Sequence, residues 1–193
     1  MATLPLVLAS TSPYRQQLLE KLTLPFTTAS PQCDETPKEN ESPTELVRRL
    51  SISKAKSCHI TQPSLVIGSD QVCVIEGKIV GKPLTREKAI EQLKKQSGKE
   101  ITFYTGLAVY NTITQQVEET IDTVVVHFRQ LTDQMIENYV DKEQPFYCAG
   151  SFKCEGLGIA LFSKIESKDP NSLIGLPLID LVTLLENQGI EIL

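Results

Sequence analysis

The chain has 193 residues, of which 40% are hydrophobic and 22% charged, the composition of an ordinary globular protein. A formal net charge of -5 excludes broad binding to a nucleic acid polymer, although a few converging basic groups can still hold a small anion. No apolar stretch approaches the roughly 18 residues of a membrane span, so no membrane partner is expected.

The length suits one large domain or two lobes sharing a sheet. The start, Met1-Ala2-Thr3-Leu4-Pro5, lacks the basic region of an export signal, so the expected compartment is the cytoplasm. Five cysteines form no CxxC pair, which argues against structural zinc and for reduced thiols. The two histidines, His59 and His127, do not accompany a serine or cysteine in a nucleophile context, and His127 reads as structural.

Residues 4–9 predict a buried first strand, followed by Ser10-Thr11-Ser12-Pro13. Ser12 suits a helix N-cap and Pro13 the first helical position, with Leu18, Leu19 and Leu22 on one face. Residues 26–29 predict a second strand, and 31–41 an acidic polar loop. Ser42-Pro43-Thr44-Glu45 is a capping box that opens a helix ending near Cys58. Residues 65–67 and 72–75 read as two short strands separated by Gly68-Ser69-Asp70-Gln71, with Glu76-Gly77-Lys78 turning into Ile79-Val80. Thr85 caps a helix that closes at Ser97-Gly98. Residues 101–111 and 117–128 alternate as an antiparallel pair, Thr132 starts a helix to about Asp141, 158–165 predicts a strand, and 178–188 a last helix. The expected class is α/β (α+β): an elongated mixed sheet with flanking helices, in one domain of two lobes around a cleft and no separable linker.

Four groups could carry chemistry. Asp70 stands where an apolar run gives way to polar residues, as a catalytic acid or as a turn cap. Ser12 and Arg15 mark a strand-to-helix turn suited to phosphate, with Arg15 placed against the helix dipole. Asp34-Glu35, with Lys54 downstream, are either solvated acids or ligands of the kind magnesium takes alongside phosphate oxygens. Gly81-Lys82-Pro83 offers a point charge beside flexible backbone.

In order and spacing, Ser12–Arg15, Asp34-Glu35, Lys54, Asp70 and Gly81-Lys82-Pro83 resemble the Maf family of nucleoside triphosphate pyrophosphatases. The resemblance runs from Leu8-Ala9-Ser10 to Gly175-Leu176-Pro177. It implies an inosine-triphosphatase-like fold, cleavage of a nucleoside triphosphate between its α and β phosphates, a divalent metal (Mg2+ or Mn2+) and a homodimer. By the same resemblance Asp70 is the catalytic base, a metal ligand with Glu35, or both, while Ser12, Arg15, Lys54 and Lys82 bind phosphate.

Most members carry two arginines after Ser-Pro, where this chain has Tyr14-Arg15. Gln71 replaces a frequent threonine, and Glu155 stands where members acting on thymidine and uridine triphosphates have glutamine. With Phe103-Tyr104-Thr105-Gly106 and Asp169-Pro170-Asn171, this trio resembles the YceF-like subgroup that hydrolyses 7-methyl-GTP. A cationic methylated guanine would stack on Tyr14, worth about 0.5–2 kcal/mol, and Glu155 could accept from guanine N1–H and N2–H₂. An unmethylated nucleotide, or a nucleotide-binding regulator of cell division with little catalysis, are the alternative readings.

Overall fold

A computed structural model describes residues 4–193. In chain order the elements are β1 (Leu6–Ala9), α1 (Pro13–Glu20), β2 (Phe26–Ala29), α2 (Pro43–Lys56), β3 (Leu65–Ile75), β4 (Lys78–Val80), α3 (Arg86–Gln96), β5 (Glu100–Asn111), β6 (Val117–Phe128), α4 (Asp133–Glu143), β7 (Phe162–Glu166) and α5 (Leu178–Asn187). The strands form a seven-stranded mixed sheet of order β2-β1-β3-β5-β6-β7, with β4 on β3. The chain divides into two compact units: residues up to Gln71 with Thr105–Asp122 and Asp169–Leu193, and Val72–Tyr104 with Thr123–Lys168. Among the described residues no helix is long and apolar enough to cross a membrane.

In the first unit β1 pairs in parallel with β2 and with β3, Leu6 lying opposite Phe26 and Leu65. Because side chains alternate across a strand, one sheet face carries Leu6, Leu8, Leu65, Ile67, Leu107 and Val109. That face packs on Leu18 and Leu19 of α1 and on Leu181 and Leu185 of α5. The opposite face, with Val7, Ala9, Val66 and Ala108, packs on Ala55 of α2. Burial on both sides explains the near-continuous apolar runs of β1 and early β3.

α2 begins at the expected capping box, with Ser42 and Glu45 satisfying each other's backbone N–H groups. The helix lies unusually close to the sheet because two strand positions lack a Cβ. A Cβ on Gly68 would stand 2.1 Å from Ser51 O, and one on Gly106 would stand 2.3 Å from Val47 O.

Residues 65–75 differ from the sequence reading. The two short strands are one strand of 11 residues, and Gly68-Ser69-Asp70-Gln71 runs through its middle. The polar residues do not break the strand because each finds a partner, as described below. Asp70 is therefore not a turn cap.

In the second unit the end of β3 turns back through Glu76-Gly77 into β4, pairing Ile75 with Lys78 and Cys73 with Val80. β7 pairs antiparallel with β6, Val126 opposite Ile165. Phe103, Phe128, Phe152 and Phe162 form an edge-to-face cluster, Phe152 lying 5.4 Å from Phe103 and 4.8 Å from Phe162 between ring centroids. His127 on β6 is held between Glu100 at 3.3 Å and Glu166 at 2.7 Å, the structural role expected for it.

The expected strand at 158–165 is another correction. Leu157–Leu161 coils as a 3-10 helix and β7 starts only at Phe162. Lys153 O accepts from both Gly156 N (3.3 Å) and Gly158 N (3.1 Å), which curls the chain back on itself before it can extend. A Cβ on Gly158 would lie 2.2 Å from that carbonyl.

Candidate active site

The first unit gathers basic and acidic groups around the middle of β3. Period-two alternation sends the tetrad to both sheet faces. Gly68 faces α2, and Asp70, two residues on, meets Lys54 of that helix: Nζ donates to Oδ1 at 2.7 Å. Glu35 Oε2 reaches the same ammonium at 3.1 Å from the preceding loop. Lys54 and Asp70 are buried, with 9% and 10% of their side-chain surface exposed, whereas Glu35 is 58% exposed. The ammonium offsets the cost of keeping a carboxylate inside the sheet.

Ser69 and Gln71 face the other way, toward the segment that precedes α5. Ser69 Oγ bonds the carbonyls of Gly106 and Gly175, each at 2.9 Å. Gln71 Nε2 donates to Ser172 O at 2.7 Å, Leu173 O at 3.3 Å and Thr105 Oγ1 at 2.9 Å. Carbonyl oxygens can only accept, so the amide orientation follows from chemistry. Both amide hydrogens are committed to the scaffold, and the group Gln71 can offer a ligand is its own oxygen.

At the end of β1, Ser10 Oγ accepts from Ser12 N at 3.1 Å, and Ser12 caps α1 by accepting from Arg15 N at 3.4 Å. Arg15 reaches inward rather than out, its Nε donating to Gly175 O at 2.8 Å. Burial lowers the guanidinium pKa, while Asp70 and Glu35 pull it back up. Arg15 therefore shares an electrostatic neighbourhood with both acids. Tyr14, beside it on the first turn, is 36% exposed and presents an aromatic face.

Asp34 and Glu35, paired in the sequence, separate in role. Asp34 Oδ1 accepts from Thr36 N at 2.9 Å, closing an Asx turn, and the Thr36 hydrogen bonds hold its carboxyl below the ordinary range. Only Glu35 is aimed at Lys54. The loop is tied to α2 by Arg49, a residue the sequence reading did not single out. Its Nη2 donates to Thr36 O at 3.1 Å and its Nε to Glu41 Oε1 at 2.6 Å.

Lys82 and Glu155 belong to the second unit. Lys82 is exposed just after β4, where Gly81 O accepts from Gln92 Nε2 at 3.2 Å. Glu155 is exposed on the curled segment before β7. Both act on Cys148, whose thiol pKa is raised by burial first and by Glu155 next, with Lys153 and Lys82 opposing. The structure thus brings Ser12, Arg15, Glu35, Lys54 and Asp70 together in one unit, with Tyr14 and Gln71, and holds Lys82 and Glu155 in the other.

The segment 169–175, noted in the sequence for Asp169-Pro170-Asn171, acts on Arg15, Ser69 and Gln71 through main-chain carbonyls. Its shape depends on Asp169, which is 1% exposed. The Asp169 carboxylate accepts from Asn171 N, Asn171 Nδ2 and Ile179 N, each at 2.7 Å. The bond from Ile179 caps α5, whose own N-cap position, Pro177, has no side-chain cap.

Among the described residues no group of three or more histidine, cysteine or acidic side chains could hold a metal. Glu35 and Asp70 are nevertheless a donor set that fits magnesium or manganese. Such ions take hard oxygen ligands and commonly use one or two carboxylates, completing their shell with phosphate oxygens and water.

The family described as "Maf-like protein" matches residues 5–188. Over 193 residues, covering both chains fully, the chain is 67% identical to a Vibrio parahaemolyticus protein and 68% identical to a Vibrio vulnificus protein, each named 7-methyl-GTP pyrophosphatase. A Vibrio cholerae protein of the same name is 62% identical over the same span. The solved structure of the Staphylococcus aureus Ham1 protein superposes with a TM-score of 0.55 at 15% identity, covering 95% of this chain and 99% of that one, a likeness of fold alone.

Proposed function

The chain belongs to the Maf family, and from that premise we propose that it hydrolyses 7-methyl-GTP to the nucleoside monophosphate and pyrophosphate. The observation that carries the reading is the Lys54 ammonium shared by Asp70 and Glu35, beside Arg15. A buried acid held by a lysine, next to a cation poised for phosphate, is what attack of water on a phosphoryl group requires.

Asp70 takes the proton of the attacking water as the oxygen bonds to the α-phosphorus, and the bond from that phosphorus to the bridging oxygen of the β-phosphate breaks. Lys54 fixes the carboxylate through Oδ1, leaving the second oxygen for the proton. Arg15 and the N-terminal turn of α1 at Ser12 receive phosphate oxygens, and by the family resemblance Lys82 is a further phosphate-binding cation. Glu35 and Asp70 would hold the divalent metal, which when bound polarises the phosphate and offsets its charge.

Support for a guanine base comes from Gln71 and Glu155. With its N–H groups committed, Gln71 can only accept, and Glu155 is an exposed carboxylate. Guanine offers N1–H and N2–H₂ as donors, which thymine and uracil cannot match. Tyr14 supplies the aromatic face that a cationic, N7-methylated ring favours. The cytoplasmic setting and the homodimer are part of the same proposal, the latter checked by sedimentation.

The test is pyrophosphate release from 7-methyl-GTP, GTP, dTTP and UTP, with magnesium or manganese. Preferential turnover of 7-methyl-GTP is expected. Equal rates on all four would overturn the base preference, and no release from any would favour a nucleotide-binding regulator.

A further inference from the structure

Glu155 sits at the crest of the short loop 153–157, exposed to solvent. An exposed carboxylate on a loop is a poor reader of a base edge unless something holds it, because recognition demands placement to within about 0.5 Å. Both ends of the loop are tied to one turn of α4. At the first end, the hydroxyl of Tyr139, itself 3% exposed, accepts from Lys153 N at 3.0 Å. At the second, Glu143 Oε1 accepts from Leu157 N at 2.9 Å.

Tyr139 and Glu143 are four residues apart and so share one helix face. The backbone carbonyl of Glu143 also takes Lys153 Nζ at 2.8 Å, closing the brace. A Cβ on Gly156 would lie 3.0 Å from Glu143 Oε1, so the loop is drawn tightly onto that carboxylate. Inside the loop the Cys154 thiol donates to Glu155 Oε2 at 3.5 Å. Burial, then Glu155, push that thiol up to about 12, so it keeps its proton and its donor role at neutral pH.

We propose that Tyr139 and Glu143 are positioning residues that aim Glu155 at the base of the nucleotide. This rests on the reading of Glu155 as a base-recognising group. Neither residue touches substrate; they act by removing freedom from the loop.

The experiment compares kcat/KM for 7-methyl-GTP with that for UTP in the full chain and in Tyr139→Phe, Glu143→Ala, Glu143→Gln and Glu155→Ala. Tyr139→Phe keeps the buried ring and removes one hydrogen bond, so its selectivity ratio falls about threefold to tenfold. The change lies in KM for 7-methyl-GTP, with kcat and the UTP kinetics unaltered. Glu143→Ala does the same, and Glu143→Gln restores the ratio because its amide oxygen can still accept from Leu157 N. A merely structural role would lower the melting temperature or the active fraction for both nucleotides alike. Unchanged ratios in Tyr139→Phe and Glu143→Ala, with a collapsed ratio in Glu155→Ala, overturn the proposal alone. An unchanged ratio in Glu155→Ala removes the reading it rests on, and the proposal with it.

Discussion

Lys54 Nζ stands 2.7 Å from Asp70 Oδ1 with both side chains largely shielded from solvent, so the two are one unit in energy as well as in position. Removing Lys54 takes the directly paired counter-charge from a buried Asp70, whereas removing Asp70 leaves Lys54 its contact with Glu35. Lys54→Met is expected to cost about 3 kcal/mol of stability, the lower end of the range for a broken buried pair, since Arg15 and solvent still reach Asp70. Lys54→Met combined with Asp70→Leu should recover most of that loss while remaining inactive. Urea unfolding of the two variants and the parent checks this; a double variant less stable than the single one would refute it.

Asp70→Asn keeps the shape and can still accept from Lys54 through its amide oxygen. The fold and nucleotide binding should persist while turnover drops by about 10²–10⁴-fold, the contribution of a positioned base. Turnover near the parent value, in a variant shown to bind nucleotide, would remove Asp70 from the role of base.

Gly68→Ala tests how Lys54 arrives at Asp70. The added methyl would lie 2.1 Å from Ser51 O and 2.7 Å from Ala55 N, both backbone atoms of α2. The helix must retreat, at about 1–3 kcal/mol of overpacking. Because that movement withdraws Lys54, the fall in kcat should exceed any loss of folded protein, as measured by turnover per mole of native enzyme from circular dichroism.

Gln71→Glu exchanges two donors for a carboxylate facing the carbonyls of Ser172 and Leu173. Both carbonyls lose a donor and meet a negative charge, for a destabilisation of about 1–3 kcal/mol. Repelled from those carbonyls, the carboxylate would lose the placement that the amide oxygen holds, so the preference for guanine nucleotides over uridine triphosphate should also weaken. Competition assays with the two nucleotides would show it, and an unchanged preference would mean that Gln71 does not face the base.

Acid sensitivity should have a contribution from Glu41. The hydrogen bond from Arg49, followed by that from Lys38 N, holds its carboxyl at about 2 rather than the ordinary 4.5. A pKa lowered in the folded state means that the unfolded chain binds the proton first. The stabilisation is whole above the unfolded value and is lost as pH falls toward about 2. Glu41→Gln should therefore lose less stability than the parent between pH 6 and pH 3 in urea titrations.

Much of the fold was legible because local chemistry and tertiary demand agreed. Ser12-Pro13 and Ser42-Pro43-Thr44-Glu45 start helices where their capping chemistry says they should. The alternation of 117–128 also became a strand with those bounds. Two misreadings have different causes, one remote and one local. Gly68 to Gln71 looks like a break because four polar or helix-poor residues seldom lie inside a strand unpartnered. Their partners, Lys54, Gly175 O and Ser172 O, are remote in the chain and cannot be seen from it. Residues 158–161 look extended, but just before them Lys153 O gathers the Gly156 and Gly158 amides and curls the chain, a local carbonyl contact that no residue type announces. For the candidate site, the charged members could be picked out by residue type, whereas the segment that orients them works through main-chain oxygens. Carbonyls are present at every position and leave no signature.

That last point has a consequence for how this protein can vary. Arg15, Ser69 and Gln71 all anchor on carbonyls of residues 172–175, so what matters there is the path of the main chain and not the identity of its side groups. Exchanges at Leu173 or Ile174 that preserve the path leave the anchors where they are. A single-residue insertion or deletion between Asp169 and Gly175 would displace Arg15 and Gln71 in one stroke. Three side chains thus share one hinge pin, and any one of them can be moved without the others only by changes outside that segment.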